Sequence, residues 1–365
     1  MNTIGSIIRL TFFGESHGDA LGITIDNLPA GIPIDFTMLD AELAKRRPKG
    51  LYSTARTEPD LYQILSGFYN GFTTGAALTI LIPNQNRQSG DYDDLTDKPR
   101  PSHADYPAYV KYHGFNDPRG GGMFSGRLTA LFILAGAIAK QLLNAKGIQV
   151  ASHIKRIFTA VDASFDPNHV SLELVKQLQT LDFPVIDASI EEPMKAAILS
   201  AKVEQDSLGG IVETAVIGLP AGIGEPLFLS IESQLSQLLF SVPAIKGVEF
   251  GDGFSYAMQK GSESSDGYRF ENDALTTTAN HNGGILGGIS NGRPVILRSV
   301  VKPTASIGLS QQTVNLKTGE NTTIEVKGRH DPAIVHRIVH VINAVVYFGI
   351  LDLCLVGHST DWIRP

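Results

Sequence analysis

Two histidines lie in short loop sequences made of small and polar residues. His17 belongs to the segment GESHG at 14–18, directly after a predicted strand, and His103 belongs to PSHAD at 101–105. Histidine is the side chain best suited to move protons near neutral pH, so both are candidate acid–base groups. A loop histidine that only forms hydrogen bonds at the surface is the alternative, and it is the default for the other histidines of the chain.

Asp331 is a third candidate, and two explanations of it stay open. It precedes Pro332 at the start of a predicted helix, and an N-cap role would by itself explain an Asp-Pro pair. Its neighbours Arg329 and His330 also fit a carboxylate whose pKa is tuned for chemistry.

Basic residues are concentrated in one stretch of this acidic chain: Lys45, Arg46, Arg47, Lys49 and Arg56. Alone, such a cluster indicates favourable charge at a helix C-terminus followed by a solvated loop. Three further arginines each lie beside a glycine in a predicted turn or helix start: Arg119, Arg127 and Arg329. Guanidinium groups in Gly-rich loops suit phosphate and carboxylate binding, because the backbone can approach closely and the donors are bidentate. We therefore expect a multiply anionic small molecule as ligand.

Two glycine-rich loops accompany these charges. Gly120–Gly122 leads into a predicted helix, where free N–H groups and Arg119 would form an anion site. A tight turn that needs glycine only for its backbone angles explains the same run. The second loop, Gly283–Gly288, does not match the G-x-G-x-x-G fingerprint, and the chain has no G-x-x-x-x-G-K-[ST] segment. A Rossmann dehydrogenase and a P-loop kinase are therefore not supported.

The elements that must position these residues are short strands mixed with longer helices, without a regular βαβ rhythm. Strands are predicted at Ile7–Phe13, Leu21–Ile25, Gln63–Phe68, Ala76–Ile82, Ile211–Leu219 and Pro294–Val301. Helices are predicted at Thr37–Arg46, Ser125–Leu143, Ser171–Leu181, Ile190–Gln205, Ser230–Phe240 and Pro332–Leu353. Thr37 would cap the first helix, and Asp331 the last. The pattern favours an α+β fold, with sheet against helices, in a single compact domain over 1–365.

Composition limits the function classes. The chain has 365 residues, of which 42% are hydrophobic, and its net charge of −7 disfavours a nucleic-acid binder. Cys354 is the only cysteine, which excludes an intrachain disulfide and a cysteine-built metal site and fits a reducing cytosol. Neither a signal peptide nor a membrane helix is expected, because the apolar run Leu128–Ala139 is far shorter than the roughly 20 residues a span needs. It indicates a buried core helix in a cytoplasmic enzyme.

Many segments, in order along almost the whole chain, resemble the chorismate synthase family. They are FGESHG at 13–18, RRP at 46–48, EPD at 58–60, ILSG at 64–67, HADY at 103–106, RGGG at 119–122, KGVEFG at 246–251, GSE at 261–263, GGILGGISNG at 283–292, KPT at 302–304 and GRHDP at 328–332. The resemblance implies a β-α-β sandwich, with sheets packed between helix layers, that assembles as a homotetramer.

The resemblance also implies a reaction. It is the 1,4-elimination of phosphate from 5-enolpyruvylshikimate 3-phosphate, which yields chorismate without net redox change. Reduced FMN is required, with NADPH as the source of reducing equivalents, because the C–H bond that breaks is not activated by a carbonyl. Since no reductase-sized segment accompanies the motifs, we expect an external flavin reductase. No metal is expected.

Residue roles follow from the matching motifs only. His17 would protonate or stabilise the departing phosphate, His103 would serve the flavin's proton balance, and Asp331 would assist flavin N5 in accepting the ring proton. The implied substrate-binding residues are Arg46, Ser125, Arg127 and Arg329. The implied FMN-binding residues are Met123, Phe124, Ser125, Ala244, Gly287, Lys302, Pro303, Thr304, Ala305, Ser306 and Arg329.

The chain departs from the family pattern at four places. The family's Arg-Ser-Ser-Ala-Arg segment is here MFSGR at 123–127, Ser102 replaces a glycine, and Asn343 replaces a glutamate. The loop PKGLY at 48–52, which would contact NADPH or substrate, is one residue short and lacks an arginine. Because the implied catalytic residues and Arg127 are retained, we interpret these changes as divergence within an active family.

Two other classes remain as alternatives. A flavin-using NAD(P)H oxidoreductase would fit the glycine-rich loops and basic cluster, and stoichiometric NADPH consumption would identify it. A non-catalytic anion or nucleotide sensor would fit the changes at Met123, Phe124 and Asn343, but retention of His17, His103 and Asp331 argues against it.

Overall fold

The computed structural model describes residues 2–53, 59–84, 97–271, 273–326 and 331–358. The strands are β1 Thr3–Ile4, β2 Arg9–Gly14, β3 Ala20–Asp26, β4 Gln63–Ser66, β5 Phe68–Tyr69, β6 Phe72–Thr73, β7 Leu78–Pro83, β8 Gln149–Ile157, β9 Ala160–Val161, β10 Gly210–Ile217, β11 Ile245–Phe250, β12 Tyr268–Glu271, β13 Ala274–Thr277, β14 Ile285–Leu286, β15 Ile289–Ser290, β16 Val295–Val301, β17 Gln311–Val314 and β18 Asn321–Ile324. The helices are α1 Phe36–Arg46, α2 Asp105–Lys111, α3 Thr129–Asn144, α4 Leu172–Thr180, α5 Glu191–Val203, α6 Ile231–Phe240 and α7 Val335–His358.

Two five-stranded antiparallel sheets form the framework. The first has the order β1-β2-β3-β7-β4 and the second β11-β16-β10-β8-β9. Four two-stranded ribbons complete the strands of the described residues: β5–β6, β12–β13, β14–β15 and β17–β18.

Helices α3 and α7 pack against each other between the two sheets. From Thr129 to Lys140 every residue of α3 is buried, because α3 contacts β3 of the first sheet, β8 of the second and α7. The two helices approach closely at Gly136, where a Cβ atom would lie 2.4 Å from Ala344. Both helices are long and apolar enough to cross a membrane, but 78% of each apolar window is buried inside the protein. This burial identifies them as core helices, as predicted for the run 128–139.

The second sheet is covered by helices on both faces. Val150 and Val216 face the main core with α7, whereas their neighbours Ala151 and Ala215 pack against Val175 of α4. This alternation follows from the two-residue period of side chains along a strand. The predicted α+β class and β-α-β sandwich are therefore confirmed.

Helix starts were the weakest part of the sequence prediction. The cap of α1 is Asp35, whose carboxylate accepts a hydrogen bond from the backbone N–H of Met38 at 3.1 Å, so the predicted cap at Thr37 is wrong. Helix α7 begins at Val335, so the N-cap role of Asp331 is wrong too. The residues after Asp331 are drawn into a strand-like bridge between Leu208 and Ala333 instead.

Two further element predictions differ in detail. The start of the predicted helix 125–143 is a separate 3-10 turn, Gly126–Leu128, which precedes α3. The predicted strand 63–68 is divided into β4 and β5, with Gly67 between them at a φ of 81°. A Cβ atom at this glycine would lie 2.5 Å from the Cα atom of Leu78, so the sheet requires glycine there.

Candidate active site

A cavity of about 660 Å³ opens where the ends of several elements meet. Its wall contains residues 46–48, 60, 102–104, 123–127, 129, 240–246, 302–306, 331, 334, 337, 338 and 341. The last turn of α1, the loop before α3, the end of α6, the segment after β16 and the first turns of α7 therefore share one surface. The sequence-predicted groups His103, Asp331, Arg46, Ser125 and Arg127 all belong to it.

The charge of the wall is strongly positive. Among the described residues that line the cavity, the Lys and Arg side chains are Arg46, Arg47, Arg127, Lys246, Lys302 and Arg337, and the aspartates are Asp60 and Asp331. Low-dielectric walls strengthen such a field, so the cavity attracts an anion with several negative charges.

Asp60 holds two of the arginines in place. It is buried, and its carboxylate accepts hydrogen bonds from Arg46 Nη2 at 3.5 Å and from Arg127 Nη1. Arg127 Nε also donates to Asn84 Oδ1 at 3.4 Å. Asp60 adopts a left-handed φ of 49°, which is uncommon for a residue other than glycine. Both guanidinium groups are thus fixed at the wall before any ligand binds.

The triple glycine lies between the two predicted catalytic histidines. All three glycines have positive φ, and a Cβ atom on Gly120 would lie 2.0 Å from His17 Cε1. A Cβ atom on Gly121 would lie 3.4 Å from His103 Cε1. The run is therefore a turn that needs glycine, and it also brings both imidazoles against one strip of backbone.

His103 is held by a charged clamp. Its Nδ1 lies 2.5 Å from Asp105 Oδ1, and Arg100 donates to the same carboxylate through Nε and Nη2, both at 2.8 Å. Burial by itself raises the pKa of Asp105, but the hydrogen bonds from Arg100 and His103 outweigh burial and hold that pKa well below its usual range. Arg100 Nη1 also donates to Ser306 Oγ at 3.2 Å, which connects the clamp to the segment after β16.

Asp331 is held by α7 rather than capping it. Its carboxylate accepts a hydrogen bond from Arg337 Nη1 at 2.5 Å, and Arg337 Nε donates to the backbone oxygen of Arg46 at 3.0 Å. Thr304 donates to the backbone oxygen of Asp331 at 3.0 Å. A carboxylate in the cavity wall is thereby tied to both an arginine-bearing helix and the predicted cofactor segment.

The predicted cofactor segments form one side of the cavity. The backbone N–H of Lys302 donates to the oxygen of Ala244 at 2.9 Å, and the Lys302 ammonium donates to the backbone oxygen of Ser102. Burial, with a smaller contribution from the charge of Lys246, lowers the pKa of Lys302. Residues Met123, Phe124, Pro303, Ala305 and Ser306 complete this side.

Two predicted site residues lie elsewhere, and one is outside the described residues. His17 is buried beside Gly120, with its Nδ1 3.1 Å from Ser16 Oγ, and it does not line the cavity. Gly287 lies in the exposed turn of the β14–β15 ribbon. Arg329 falls in 327–330, outside the part of the chain that the structure describes.

Sequence reasoning missed several residues of the site. The sequence motifs assign no role to four residues of the site: Asp60, Arg100, Asp105 and Arg337. Asp60 lies in the EPD segment and Asp105 in the HADY segment, but neither motif shows what its aspartate contacts. The importance of these four residues comes from contacts that reach across as many as 291 positions of sequence, which a single sequence does not show. For Asp105, the signal was present as an acid two residues after a candidate histidine.

The departures from the family pattern are distributed unevenly. Met123 and Phe124 line the cavity, whereas Asn343 is a half-buried residue of α7 that does not line it and donates to the backbone oxygen of Val150 at 3.2 Å. Ser102 adopts a left-handed φ of 59°, a conformation that glycine adopts without steric cost. In the shortened loop, Lys49 pairs with Asp182, and Tyr52 packs edge-on against Phe183.

The fold and the cavity together define an α+β protein with a positively charged cavity, which is suited to an anionic small molecule. Residues 8–355 match the family model described as chorismate synthase. A chorismate synthase from Dehalococcoides mccartyi strain BAV1 is 43% identical over 97% of this chain and 96% of its own. One from Methanosarcina barkeri strain Fusaro is 43% identical over 100% and 98%. A crystal structure of chorismate synthase aligns with a TM-score of 0.75 at 25% identity, over 97% of this chain and 93% of that one.

The chain belongs to the chorismate synthase family. It is a lyase of the shikimate pathway, and the family's reaction converts 5-enolpyruvylshikimate 3-phosphate into chorismate and inorganic phosphate in the last common step of aromatic amino acid biosynthesis. The family is flavin dependent.

The described cavity combines apolar and cationic surface. Its volume lies within the range of about 300–1,000 Å³ typical of small-molecule sites. Apolar side chains, Met123, Phe124, Ile334, Ile338 and Val341, offer surface for a ring system, and the cations described above offer partners for phosphate and carboxylate. These two kinds of surface are what FMN and the substrate require.

Proposed function

We propose that this chain binds reduced FMN and 5-enolpyruvylshikimate 3-phosphate side by side in the 660 Å³ cavity and catalyses the 1,4-elimination there. The observation that carries the proposal is the convergence of His103, Asp331, Arg46 and Arg127 with the FMN segments on one wall. When bound, reduced FMN supplies transient electron donation that helps expel phosphate.

The arginines bind and orient the substrate. It carries a phosphate and two carboxylates, and bidentate guanidinium groups match both kinds of oxyanion. Arg46 and Arg127 are already fixed by Asp60, so little conformational entropy is lost on binding. Ser125 lies beside Arg127, with its hydroxyl accepting from the Arg127 N–H at 3.3 Å. Arg329 is proposed as a further anchor for substrate and FMN.

The titratable residues handle protons. His17 protonates or stabilises the departing phosphate. Because His17 lies directly behind Gly120, the phosphate must bind against the glycine loop to reach it. His103 maintains the flavin's proton balance through Nε2, since Nδ1 is engaged by Asp105. Asp331 assists removal of the ring proton, and its pairing with Arg337 keeps a carboxylate at the wall.

The FMN contacts that we propose within this chain are Met123, Phe124, Ala244 and residues 302–306. Gly287, on an exposed turn, would contact FMN only if a neighbouring subunit brings the turn to a cavity. The proposed homotetramer would supply that neighbour, and it would cover large apolar side chains that are at least 78% exposed: Phe228, Phe254, Met258 and Phe270. We expect the enzyme to act in the cytoplasm.

The flavin is proposed to arrive already reduced, by an external reductase that uses NADPH. An aerobic assay with FMN and NADPH alone tests this step. Robust turnover in that assay would show that the chain reduces its own flavin. Stoichiometric NADPH consumption coupled to turnover would instead support the oxidoreductase class.

The decisive experiment is anaerobic phosphate release and chorismate formation with FMN reduced by dithionite. Product with reduced FMN, and none with oxidised FMN, supports the proposal. A folded protein that binds FMN but forms no product contradicts it and favours a sensor or an altered substrate. A companion variant, Asp60→Asn, tests the binding site itself. It should weaken substrate binding, because Asp60 holds Arg46 and Arg127 in place, while FMN binding persists.

A further inference from the structure

The wall that carries His103 separates two cavities. His103 lines the active-site cavity, whereas Asp105 lines a second cavity of about 260 Å³ on the other side of Gly121 and Phe124. The histidine–aspartate pair therefore spans the boundary between the two cavities, and Asp105 does not line the cavity that holds the proposed reacting groups. This separation distinguishes Asp105 from the residues assigned to binding or proton transfer.

The hydrogen bonds around Asp105 determine which ring nitrogen of His103 carries the proton. Asp105 Oδ2 accepts from Arg100 N at 3.0 Å and from Arg100 Nε at 2.8 Å, and Oδ1 accepts from Arg100 Nη2 at 2.8 Å. So many donors keep the carboxylate ionised, and an ionised carboxylate only accepts hydrogen bonds. His103 Nδ1 lies 2.5 Å from Asp105 Oδ1 and 3.1 Å from Arg100 Nη2. Because the carboxylate can only accept, the shorter contact is a hydrogen bond that Nδ1 donates, and we assign the proton to Nδ1 on that contact.

The other ring nitrogen of His103 is left for chemistry. Among the described residues no hydrogen-bond partner is recorded for Nε2, which lies 3.6 Å from the position of a Cβ atom on Gly121. A neutral imidazole with its proton on Nδ1 has its lone pair on Nε2. The ring can then accept a proton from the active-site cavity, and Asp105 stabilises the imidazolium that results.

We infer that Asp105, oriented by Arg100, is a positioning residue that fixes His103 in the Nδ1–H tautomer and directs Nε2 at the active-site cavity. The inference rests on the role proposed above for His103. The relationship resembles that of the carboxylate and histidine in other acid–base sites, where the carboxylate orients the ring and is not itself protonated.

The first test measures the tautomer directly in the wild-type protein. Nitrogen-15 NMR of the ¹⁵N-histidine-labelled protein, with the His103 signals assigned by their loss in His103→Ala, reports which nitrogen is protonated when the ring is neutral. The expected result is a protonated Nδ1. A neutral ring protonated at Nε2 overturns the inference, and this readout needs no flavin, substrate or folded Asp105 variant.

The second test is a double-mutant cycle. Asp105→Asn should lower kcat by about 10–100-fold, the usual effect of losing a partner that orients a histidine, with the substrate Kd nearly unchanged. In the His103→Ala background the same change should have no further effect on kcat, because a positioning residue acts only through its histidine. Equal losses in both backgrounds would assign Asp105 a merely structural role and overturn the inference.

The matched control is Asp97→Asn. Asp97 lines the same second cavity, but its carboxylate pairs with Lys317 at 2.8 Å, so this variant should keep wild-type kcat. A drop in kcat equal to that of Asp105→Asn would attribute the effect to the charge of the cavity and contradict the inference. Unchanged turnover in His103→Ala would contradict the proposed function instead, and the NMR result would still decide the tautomer.

Discussion

His103 and His153 both hydrogen-bond an aspartate through Nδ1, but they lie in different surroundings. His153, in β8, is fully buried and lies between Asp162 Oδ2 at 2.8 Å and Glu213 Oε2 at 3.0 Å. Both of its nitrogens are therefore engaged. His103 lines a cavity, and within the described part of the chain its hydrogen bonds are made through Nδ1 alone. The difference shows that a histidine–carboxylate pair becomes a candidate for catalysis when one ring nitrogen still faces a ligand site.

The buried cluster extends across the second sheet. Glu213 also pairs with Arg298 of β16 at 3.4 Å, and Arg298 Nε pairs with Glu249 of β11 at 2.5 Å. These residues are register neighbours on adjacent antiparallel strands. Cross-strand pairing aligns them in a row, so we interpret the row as a device that fixes strand register.

The largest expected effect concerns His103. His103→Ala should lower kcat by roughly 10²–10⁴-fold, the usual contribution of one general acid–base group. The substrate Kd should change little, because the arginines that bind the anions are untouched. Single-turnover kinetics and equilibrium binding measure the two quantities separately, and an unchanged kcat would remove His103 from the mechanism.

The buried counterpart should affect stability instead. His153→Ala leaves the buried carboxylates of Asp162 and Glu213 without their shared hydrogen-bond partner, and removing one partner of a buried charged group costs about 3–5 kcal/mol. Urea unfolding should show this loss, while kcat per folded enzyme stays near wild type. A variant with normal stability would show that the row contributes no net energy.

The glycine loop contacts both predicted catalytic histidines, His17 through Gly120 and His103 through Gly121. Gly120→Ala would place a methyl group in the His17 ring at a left-handed backbone position, which should cost about 1–3 kcal/mol and lower kcat. Gly261→Ala is the matched control, because a Cβ atom there meets nothing within 4 Å and the backbone is not left-handed. Equal melting temperatures for the two variants would contradict this account.

The contribution of His153 to the free energy of unfolding should depend on pH. Burial by itself lowers the pKa of His153, but the hydrogen bonds that its ring donates to the carboxylates of Asp162 and Glu213 outweigh burial and raise it. A raised folded-state pKa gives a stabilising contribution that is complete below the unfolded value of about 6.5 and is lost as pH rises through the folded value. The difference in unfolding free energy between wild type and His153→Ala should therefore shrink at alkaline pH, as urea titrations across the range would show.

The smallest expected effect is at Ser102. Ser102→Gly should remove the left-handed strain and stabilise the protein by about 1 kcal/mol, because glycine adopts positive φ without steric cost. The melting temperature measures this gain. Any loss of stability would mean that the serine side chain makes a compensating contact.

Sequence patterns predicted the existence of elements far better than their ends. The apolar periodicity of 128–139 correctly indicated a core helix, because burial on all sides requires apolar residues on all sides. The starts of α1 and α7 were wrong, because Asp35 is as good a cap as Thr37 and because the Leu208–Ala333 bridge competes with helix formation. Local propensity cannot weigh a contact made more than a hundred residues away.

For the site as well, the sequence indicated some residues and left others unrecognised. Residue types identified His103, Asp331, Arg46 and Arg127 as candidates, and the structure brings them to one wall. The partners that orient them, Asp60, Asp105 and Arg337, could not be ranked from sequence, because an aspartate or arginine is equally common on a solvated surface. The roles of all these residues, and of His17, Gly287 and Arg329, stay predictions.

The sequence by itself determined the family, the α+β class and the residue types of the chemistry, since these follow from local patterns and from motif order. Three features are visible only in the folded protein: Asp105 lines a second cavity, Asp331 pairs with Arg337, and His153 lies between two acids. Pairing and burial depend on which distant segments pack together, and the energies of charges depend on that packing rather than on sequence neighbours.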